Sequence, residues 1–249
     1  MLPKEKIELS VVMPVYRQEK KVVRYLGALD KVLAGLNLVY EIICVVDGMT
    51  DKTYQNASKL SLPHLKVVGY KQNQGKGNAV RLGMSQAKGK IIGFVDGGFD
   101  LKYTSIPLAL EHMKWYDADI IIGSKRHPAS KVNYPWQRRI LSWGYQMGVR
   151  LLFGINIRDS QVGIKFFRRE VIRKIMPKLL IKEFAFDIEM LAVANRMDFP
   201  RIYEFPIELE LEFGTSSIAS IGFFKTAWNM LWDTMAVFYR LKIRHYYDK

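Results

Sequence analysis

The chain reads as an α/β domain built on a mostly parallel central sheet, and three observations predict it. Apolar β-rich runs alternate with stretches of helical spacing through the first half of the sequence. Two of those runs close on Asp-Gly, where a buried strand hands the chain to a crossover. The second half loses this alternation and turns aromatic and basic, with no internal repeat and no low-complexity linker. Strands alternating with helices argue a sheet covered on both faces. One domain over residues 1–217 with an amphipathic helical extension over 218–249 is the simplest division.

Taken in order, Leu9 to Val15 is a buried strand, and Lys20 to Leu36 has Val22, Val23, Leu26, Leu29 and Leu33 at helical spacing. Glu41 to Val46 is a second strand, closed by Asp47-Gly48, and Thr50 to Leu60 a short helix. Leu65 to Gly69 is a third strand, followed by the glycine-rich loop Asn73 to Gly77 and a helix through Ala87. Lys90 to Val95 is a fourth strand, closed by Asp96-Gly97-Gly98; Ser105 to Trp115 is helical, and Ile120 to Ile122 is a fifth strand. Further on, Tyr134 to Phe153 predicts an amphipathic helix, Asp159 to Ile175 a strand then a helix, Phe184 to Asn195 a helix, and Arg201 to Leu211 a strand. Ile218 to Tyr247 forms an aromatic, basic tail.

Composition narrows the function. A single cysteine, Cys44, excludes an internal disulfide framework and a cysteine-based zinc site. The N-terminus is charged and lacks an apolar signal core, so a cleaved secretion signal is not expected. No run approaches the ~20 apolar residues of a membrane span. The formal charge is +14, and Lys114 to Lys182 holds fifteen Lys and Arg against four Asp and Glu. Basic chains often bind nucleic acid, but no zinc finger, aromatic RNA-binding signature or helix-turn-helix pattern is visible. A phosphorylated ligand or an anionic membrane surface fits better, and nucleic acid is not an expected partner.

In sheets of this kind ligands bind at the strand C-terminal ends, where Tyr16, Asp47 and Asp96 fall. Either aspartate alone could cap the following helix. Two at matching positions, with Asp100 just past Gly97-Gly98, point instead to a nucleotide and a divalent cation, because Mg²⁺ or Mn²⁺ takes hard oxygen ligands and diphosphate.

The motifs that surround these residues resemble those of glycosyltransferase family 2, with its Rossmann-like GT-A fold, and within it the polyprenyl- and dolichyl-phosphate glucosyl- and mannosyltransferases. Val11 to Lys20 (VVMPVYRQEK) is similar to the opening Pro-x-Tyr-Asn-Glu stretch, with Arg17 in place of Asn. Glu41 to Thr53 (EIICVVDGMTDKT) is similar to the Asp-Asp-Gly-Ser-Thr-Asp element, with Val46 in place of the first Asp. Asn73 to Gly89, Gly123 to Arg126 (GSKR), Arg158 to Arg169 (RDSQVGIKFFRR) and Phe184 to Leu191 (FAFDIEML) follow in the family's order, so the likeness runs from about residue 8 to 217. The family's Asp-x-Asp metal motif reads Asp96-Gly97-Gly98-Phe99-Asp100 here, with glycine at the central aspartate.

The resemblance implies an inverting transferase that moves a sugar from a nucleotide sugar, UDP-glucose first and GDP-mannose second, to a polyprenyl phosphate. It implies nucleotide-sugar contacts at Pro14, Tyr16, Glu19, Asp47, Lys76 and Asp96, and Mg²⁺ or Mn²⁺ at Asp96 and Asp100. Lys125, Arg126, Arg138 and Ser142 would meet the acceptor phosphate, and Asp96, Asp187 and Lys125 would carry the chemistry. A lipid phosphate is already ionised near neutral pH, so the site must position and neutralise two phosphate-bearing substrates rather than supply a base. Two of these residues have plainer readings: Arg138 beside Arg139 as a solvated helix face, and Asp187 as a helix N-terminal charge. The tail pairs Trp228, Trp232 and Tyr239 with Arg240, Lys242 and Arg244, which suits the lipid interface, the domain core or a homodimer seam. The expected location is cytoplasmic, peripheral at the inner face of a membrane. Gly98 favours the alternative, a catalytically weak sugar-nucleotide-binding partner protein.

Overall fold

A computed structural model describes residues 6–98, 102–132, 136–183, 185–209 and 223–248. The first half follows the predicted alternation: β1 (Leu9–Val15), α1 (Val22–Ala34), β2 (Tyr40–Asp47), α2 (Thr53–Ser58), β3 (Leu65–Tyr70), α3 (Lys76–Gln86), β4 (Ile91–Val95), α4 (Ile106–Trp115) and β5 (Ile120–Ser124). The second half adds β6 (Lys131–Val132), α5 (Trp136–Phe153), β7 (Ile164–Arg168), α6 (Arg169–Ile175), α7 (Phe186–Arg196), β8 (Ile202–Pro206), β9 (Glu208–Leu209) and α8 (Phe223–Phe238). A short π-helical segment, Tyr239–Ile243, continues α8. The segment read as one strand from Arg201 to Leu211 divides at Ile207: β8 joins the main sheet, and β9 pairs with β6 in a separate ribbon.

The main sheet has seven strands in the order β3-β2-β1-β4-β7-β5-β8. Only β7 runs antiparallel, inserted between β4 and β5. The parallel strands therefore present their C-terminal ends, Val15, Asp47, Val95 and Ser124, at one edge. The chain departs from β1 to both sides, since β1 pairs with β2 and with β4. A crevice forms at such a switch point.

Alternation along β1 builds a core on each face. Val12 joins Val45, Val80, Phe94 and Phe186 under α3 and α7, while Val11 and Met13 join Ile42, Cys44, Leu26 and Leu29 under α1. Cys44 is the small buried residue its apolar surroundings predict, and burial pushes its thiol up to about 12. Of the predicted apolar stripe of α1, Val22, Leu26, Leu29 and Leu33 are buried, and Val23 falls on the solvent face. Each fully buried aliphatic contributes about 1.5–3 kcal/mol relative to exposure.

The C-terminal elements close one face. Val237, Leu241 and Tyr247 are buried in the same core as Val149 and Phe153 of α5. Tyr145 and Thr234 share a hydrogen bond of 2.9 Å, and Tyr247 donates to Glu189 at 2.6 Å. The tail thus packs on the domain along one side. Its other side carries Trp228, Leu231, Trp232, Met235, Tyr239 and Ile243 in the open, and α5 likewise exposes Trp143, Met147 and Leu151. Among the described residues no helix is long and apolar enough to cross a membrane.

Candidate active site

Four charged side chains from four elements meet at the C-terminal edge of the sheet. Lys76 opens α3, Asp96 follows β4, Lys165 projects from β7, and Asp187 lies in the first turn of α7. Lys76 Nζ lies 2.9 Å and 3.0 Å from the two oxygens of Asp96 and 3.7 Å from Asp187 Oδ2. Lys165 Nζ donates to Asp187 Oδ1 at 2.5 Å and to the carbonyl of Val162 at 2.7 Å. Both ammonium groups lie 5.2 Å from the centre of the Phe94 ring. The result is an alternating chain of charge, Asp96–Lys76–Asp187–Lys165, running from the half-exposed crevice to the interior.

Burial sets the electrostatics of the two cations. Burial pulls the Lys76 ammonium down, but the Asp96 and Asp187 charges overcome it and hold its pKa well above the ordinary lysine value. Lys165 is wholly buried; burial dominates there, the charge of Lys76 adds to it, and the pKa falls despite Asp187. Removing one partner of such a buried pair leaves an uncompensated charge.

Asp96 is held from behind. Its amide donates to the carbonyl of Gly163 at 2.8 Å, and its carboxylate lies flat against that glycine: a Cβ there would fall 1.9 Å from Oδ2. Its Oδ1 makes no hydrogen bond although Lys76 is near. That oxygen is buried against the Lys76 ammonium, so a divalent cation here would share the Asp96 carboxylate with Lys76; it needs only one or two protein carboxylates when diphosphate and water complete its shell. Among the described residues no cluster of three or more His, Cys, Asp or Glu gathers here. Asp100 lies outside the described residues. Gly98 has a backbone open to other residues, and among the described residues nothing lies within 4 Å of where its Cβ would stand.

The nucleotide side is built from loops. Tyr16 is exposed after β1, with the Arg17 guanidinium 5.1 Å from its ring centre. Glu19 accepts from the amide of Lys52 at 3.1 Å, linking this turn to the one after β2. Asp47 is buried, and its carboxylate accepts from Tyr70 Oη at 2.8 Å, Asn73 Nδ2 at 2.9 Å and the amide of Gln74 at 2.8 Å. It therefore anchors the glycine-rich loop, whose Gly75 has φ +93° and delivers Lys76 to the site.

Lys125 is not part of the four-residue chain. Its Nζ lies 3.6 Å from Asp159 Oδ2, in a second group at the end of β5. Glu204 accepts there from the amides of Arg158 and Asp159, both at 2.9 Å, and burial raises its pKa. Arg126 lies beside this group. Arg138 and Ser142 sit on α5, and their side chains lie outside the described residues. Lys165 went unnoticed in the sequence, although a lysine inside the apolar run Val162 to Phe167 is the mark of a charge that must find a buried partner. Nothing local in the sequence pairs Asp159 with Lys125.

Residues 10–176 match the sequence profile of glycosyl transferase family 2. The chain belongs to this family. The matched stretch contains Lys76, Asp96 and Lys165, while Asp187 lies beyond it. Among relatives, the dolichyl-phosphate β-glucosyltransferase of Drosophila melanogaster is 35% identical over 213 residues, covering 78% of this chain and 64% of that protein. The Dictyostelium discoideum enzyme of the same name is 31% identical, covering 80% and 65%. The Saccharomyces cerevisiae one is 30% identical, covering 93% and 75%. The chain thus spans a little under two thirds of the first two relatives. A similar fold is seen in glucosyl-3-phosphoglycerate synthase from Mycobacterium tuberculosis, solved with uridine diphosphate, at TM-score 0.68 and 14% identity over 94% of this chain and 79% of that one. The same synthase has been solved with Mn²⁺, uridine diphosphate and its product, at TM-score 0.67 and 16% identity, covering 94% of this chain and 79% of that one.

Proposed function

We propose that this chain transfers a sugar from a nucleotide sugar to a polyprenyl phosphate, with glucose from UDP-glucose to dolichyl phosphate as the first assignment and GDP-mannose as the second donor. The observation that carries it is the Asp96–Lys76–Asp187–Lys165 chain at the switch-point edge of the sheet. It supplies fixed charge where a diphosphate would leave, which is the kind of preorganisation that such a reaction needs. The names of the relatives support the substrates.

In the reaction, an oxygen of the acceptor phosphate attacks the anomeric carbon as the bond to the nucleoside diphosphate breaks. A single displacement inverts that centre, and an α-linked donor gives a β-linked product. Pro14, Tyr16, Glu19 and the loop held by Asp47 would frame the nucleotide. Lys76 would meet the diphosphate, and Asp187 with Lys165 would position Lys76. Asp187 is buried with both oxygens facing ammonium groups, so we assign it to positioning rather than to proton transfer. Asp96 would hold Mg²⁺ or Mn²⁺ with Asp100, and that ion would neutralise the leaving diphosphate. Lys125, Arg126, Arg138 and Ser142 would receive the acceptor phosphate.

The acceptor's apolar tail would stay in the bilayer, with the protein peripheral at the cytoplasmic face. The exposed stripes of α5 and α8, with exposed Lys242 and Arg244 in and just after the π-helical segment, support that docking; the same face could serve a homodimer. The division at residue 217 remains part of this proposal.

A panel of nucleotide sugars incubated with short polyprenyl phosphate and Mg²⁺ or Mn²⁺ tests the assignment, with UDP-glucose expected to yield polyprenyl-phosphate glucose. Nucleotide binding without turnover of any donor would favour the second reading, a sugar-nucleotide-binding partner protein, to which Gly98 in the metal motif points.

A further inference from the structure

Glu189 is a buried acid that the proposed reaction does not use, although it lies two residues after Asp187 on α7 and is wholly enclosed. At about 100° per residue the two side chains leave the helix on nearly opposite sides. Asp187 faces the crevice and Lys76, whereas Glu189 faces residues 179–183 and the C-terminal tail. Among the described residues its partners are all donors. The amide of Leu180 lies 3.0 Å from both oxygens, the amide of Ile181 donates to Oε2 at 2.9 Å, and Tyr247 Oη donates to Oε1 at 2.6 Å. A buried carboxylate stripped of such bonds carries its full desolvation cost, so side chain and segment fix one another.

The next residue along, Lys182, carries this hold to α3. That helix begins on Gly75, which has no side chain to cap it, and the amide of Gly77 in its first turn is a donor without a partner inside the helix. The carbonyl of Lys182 accepts from that amide at 2.7 Å. A second bond joins the same two pieces, from the Arg81 guanidinium to the carbonyl of Leu179. The joint has no slack. A Cβ on Gly77 would fall 2.7 Å from Phe186 Cβ, and one on Gly75 would fall 2.6 Å from the carbonyl oxygen of Lys182. Lys76 lies between these two glycines, so a shift of Lys182 passes to the backbone that delivers its ammonium to Asp96 and Asp187.

We infer that Glu189, with Tyr247 completing its set of donors, is a positioning residue for Lys76, holding residues 179–183 as the cap of α3. This rests on the nucleotide-sugar reading above, in which Lys76 meets the leaving diphosphate. Charge on that diphosphate grows as its bond to the sugar breaks. A displaced Lys76 therefore costs more in the transition state than in the bound donor, and the loss falls on kcat rather than KM.

Glu189→Gln keeps the shape of the side chain but turns one acceptor into a donor that faces donors. With UDP-glucose, Mn²⁺ and short polyprenyl phosphate it should lower kcat about tenfold or more and change KM for UDP-glucose by less than about threefold, in line with a misplacement of a fraction of an ångström. In a Lys76→Met background the same change should cost less than about twofold, because the group it positions is gone. Hydrogen exchange at the Gly77 amide, which needs no substrate, should quicken about tenfold or more. Val237→Ala loosens the same tail core away from the Glu189 hydrogen bonds, and at a comparable fall in melting temperature it should leave kcat and Gly77 exchange near wild type. Tyr247→Phe removes one of the three donors and should give the same pattern several-fold more weakly; it carries the test if Glu189→Gln does not fold. Wild-type kcat in the folded variant, an undiminished loss in the Lys76→Met background, unchanged Gly77 exchange, or an equal kcat loss in Val237→Ala would each overturn the inference. A wild-type protein that turns over no nucleotide sugar loses the reading beneath it, and Gly77 exchange then decides the hold on Lys76 by itself.

Discussion

Replacing Gly163 with alanine is the sharpest test of how Asp96 is placed. The new methyl would fall 1.9 Å from Asp96 Oδ2 and 2.2 Å from its Cγ, about 1.5 Å short of the 3.4 Å at which ordinary contact begins. The backbone has little room to absorb this, because the amide of Asp96 is bonded to the carbonyl of Gly163 at 2.8 Å and β4 and β7 are paired up to Val95 and Ile164. The carboxylate must swing by something over an ångström from its place beside Lys76. A misplacement of about 1 Å at a reacting centre can cost on the order of 10²-fold in rate. Overpacking of this kind typically lowers stability by only about 1–3 kcal/mol. We therefore expect Gly163→Ala to fold and to lose about 10²-fold in kcat with UDP-glucose and short polyprenyl phosphate. If the loss acts through Asp96, adding Gly163→Ala to Asp96→Asn should cost much less than it does alone, a coupling that a double-mutant cycle measures. A folded Gly163→Ala protein with near wild-type turnover would refute the placement of Asp96 at the reacting centre.

Lys165→Met should destabilise the chain by about 3 kcal/mol by leaving Asp187 with only the 3.7 Å contact to Lys76, and Lys165→Met with Asp187→Leu should recover much of that in denaturant unfolding; equal midpoints for the single and double variants would argue against the buried pair. Gly98→Asp should be tolerated, given the open space beside it, and should lower the Mn²⁺ concentration needed for activity several-fold; a falling melting temperature with no change in metal dependence would count against it. Asp47→Ala should release Asn73 and Gln74 and weaken UDP binding about tenfold or more in calorimetry, since charge-assisted hydrogen bonds are worth roughly 1.5–3 kcal/mol; unchanged affinity would remove Asp47 from the nucleotide site. Deleting the tail would unpack Val237, Leu241 and Tyr247, so membrane docking is better tested with Trp228→Ser and Trp232→Ser. That pair should reduce vesicle binding and leave the melting temperature nearly unchanged, whereas a changed mass in light scattering would assign the face to a dimer seam.

The α/β class was legible because buried parallel strands must be continuously apolar and their crossovers amphipathic, and both patterns are local. Val11 to Val15 and Ile42 to Val46 announce themselves without any neighbour. The strand ends carrying Asp47 and Asp96 were legible for the same reason, since a glycine beside an acid at the end of an apolar run is a feature of adjacent residues. What adjacency could not convey was partnership. Asp47 is legible as an acid at a strand end, but not the hold of its carboxylate on Tyr70, Asn73 and Gln74, which only strand pairing brings to it. The antiparallel course of β7 was likewise hidden, because direction is set by which neighbours a strand finds and not by its own composition. That one reversed strand places Lys165 under Asp187 and Gly163 behind Asp96. The residue types at the site were thus written along the chain, whereas the ion pairs among them, spanning 20 to 111 positions, arise only when the sheet closes and burial makes each charge require its partner.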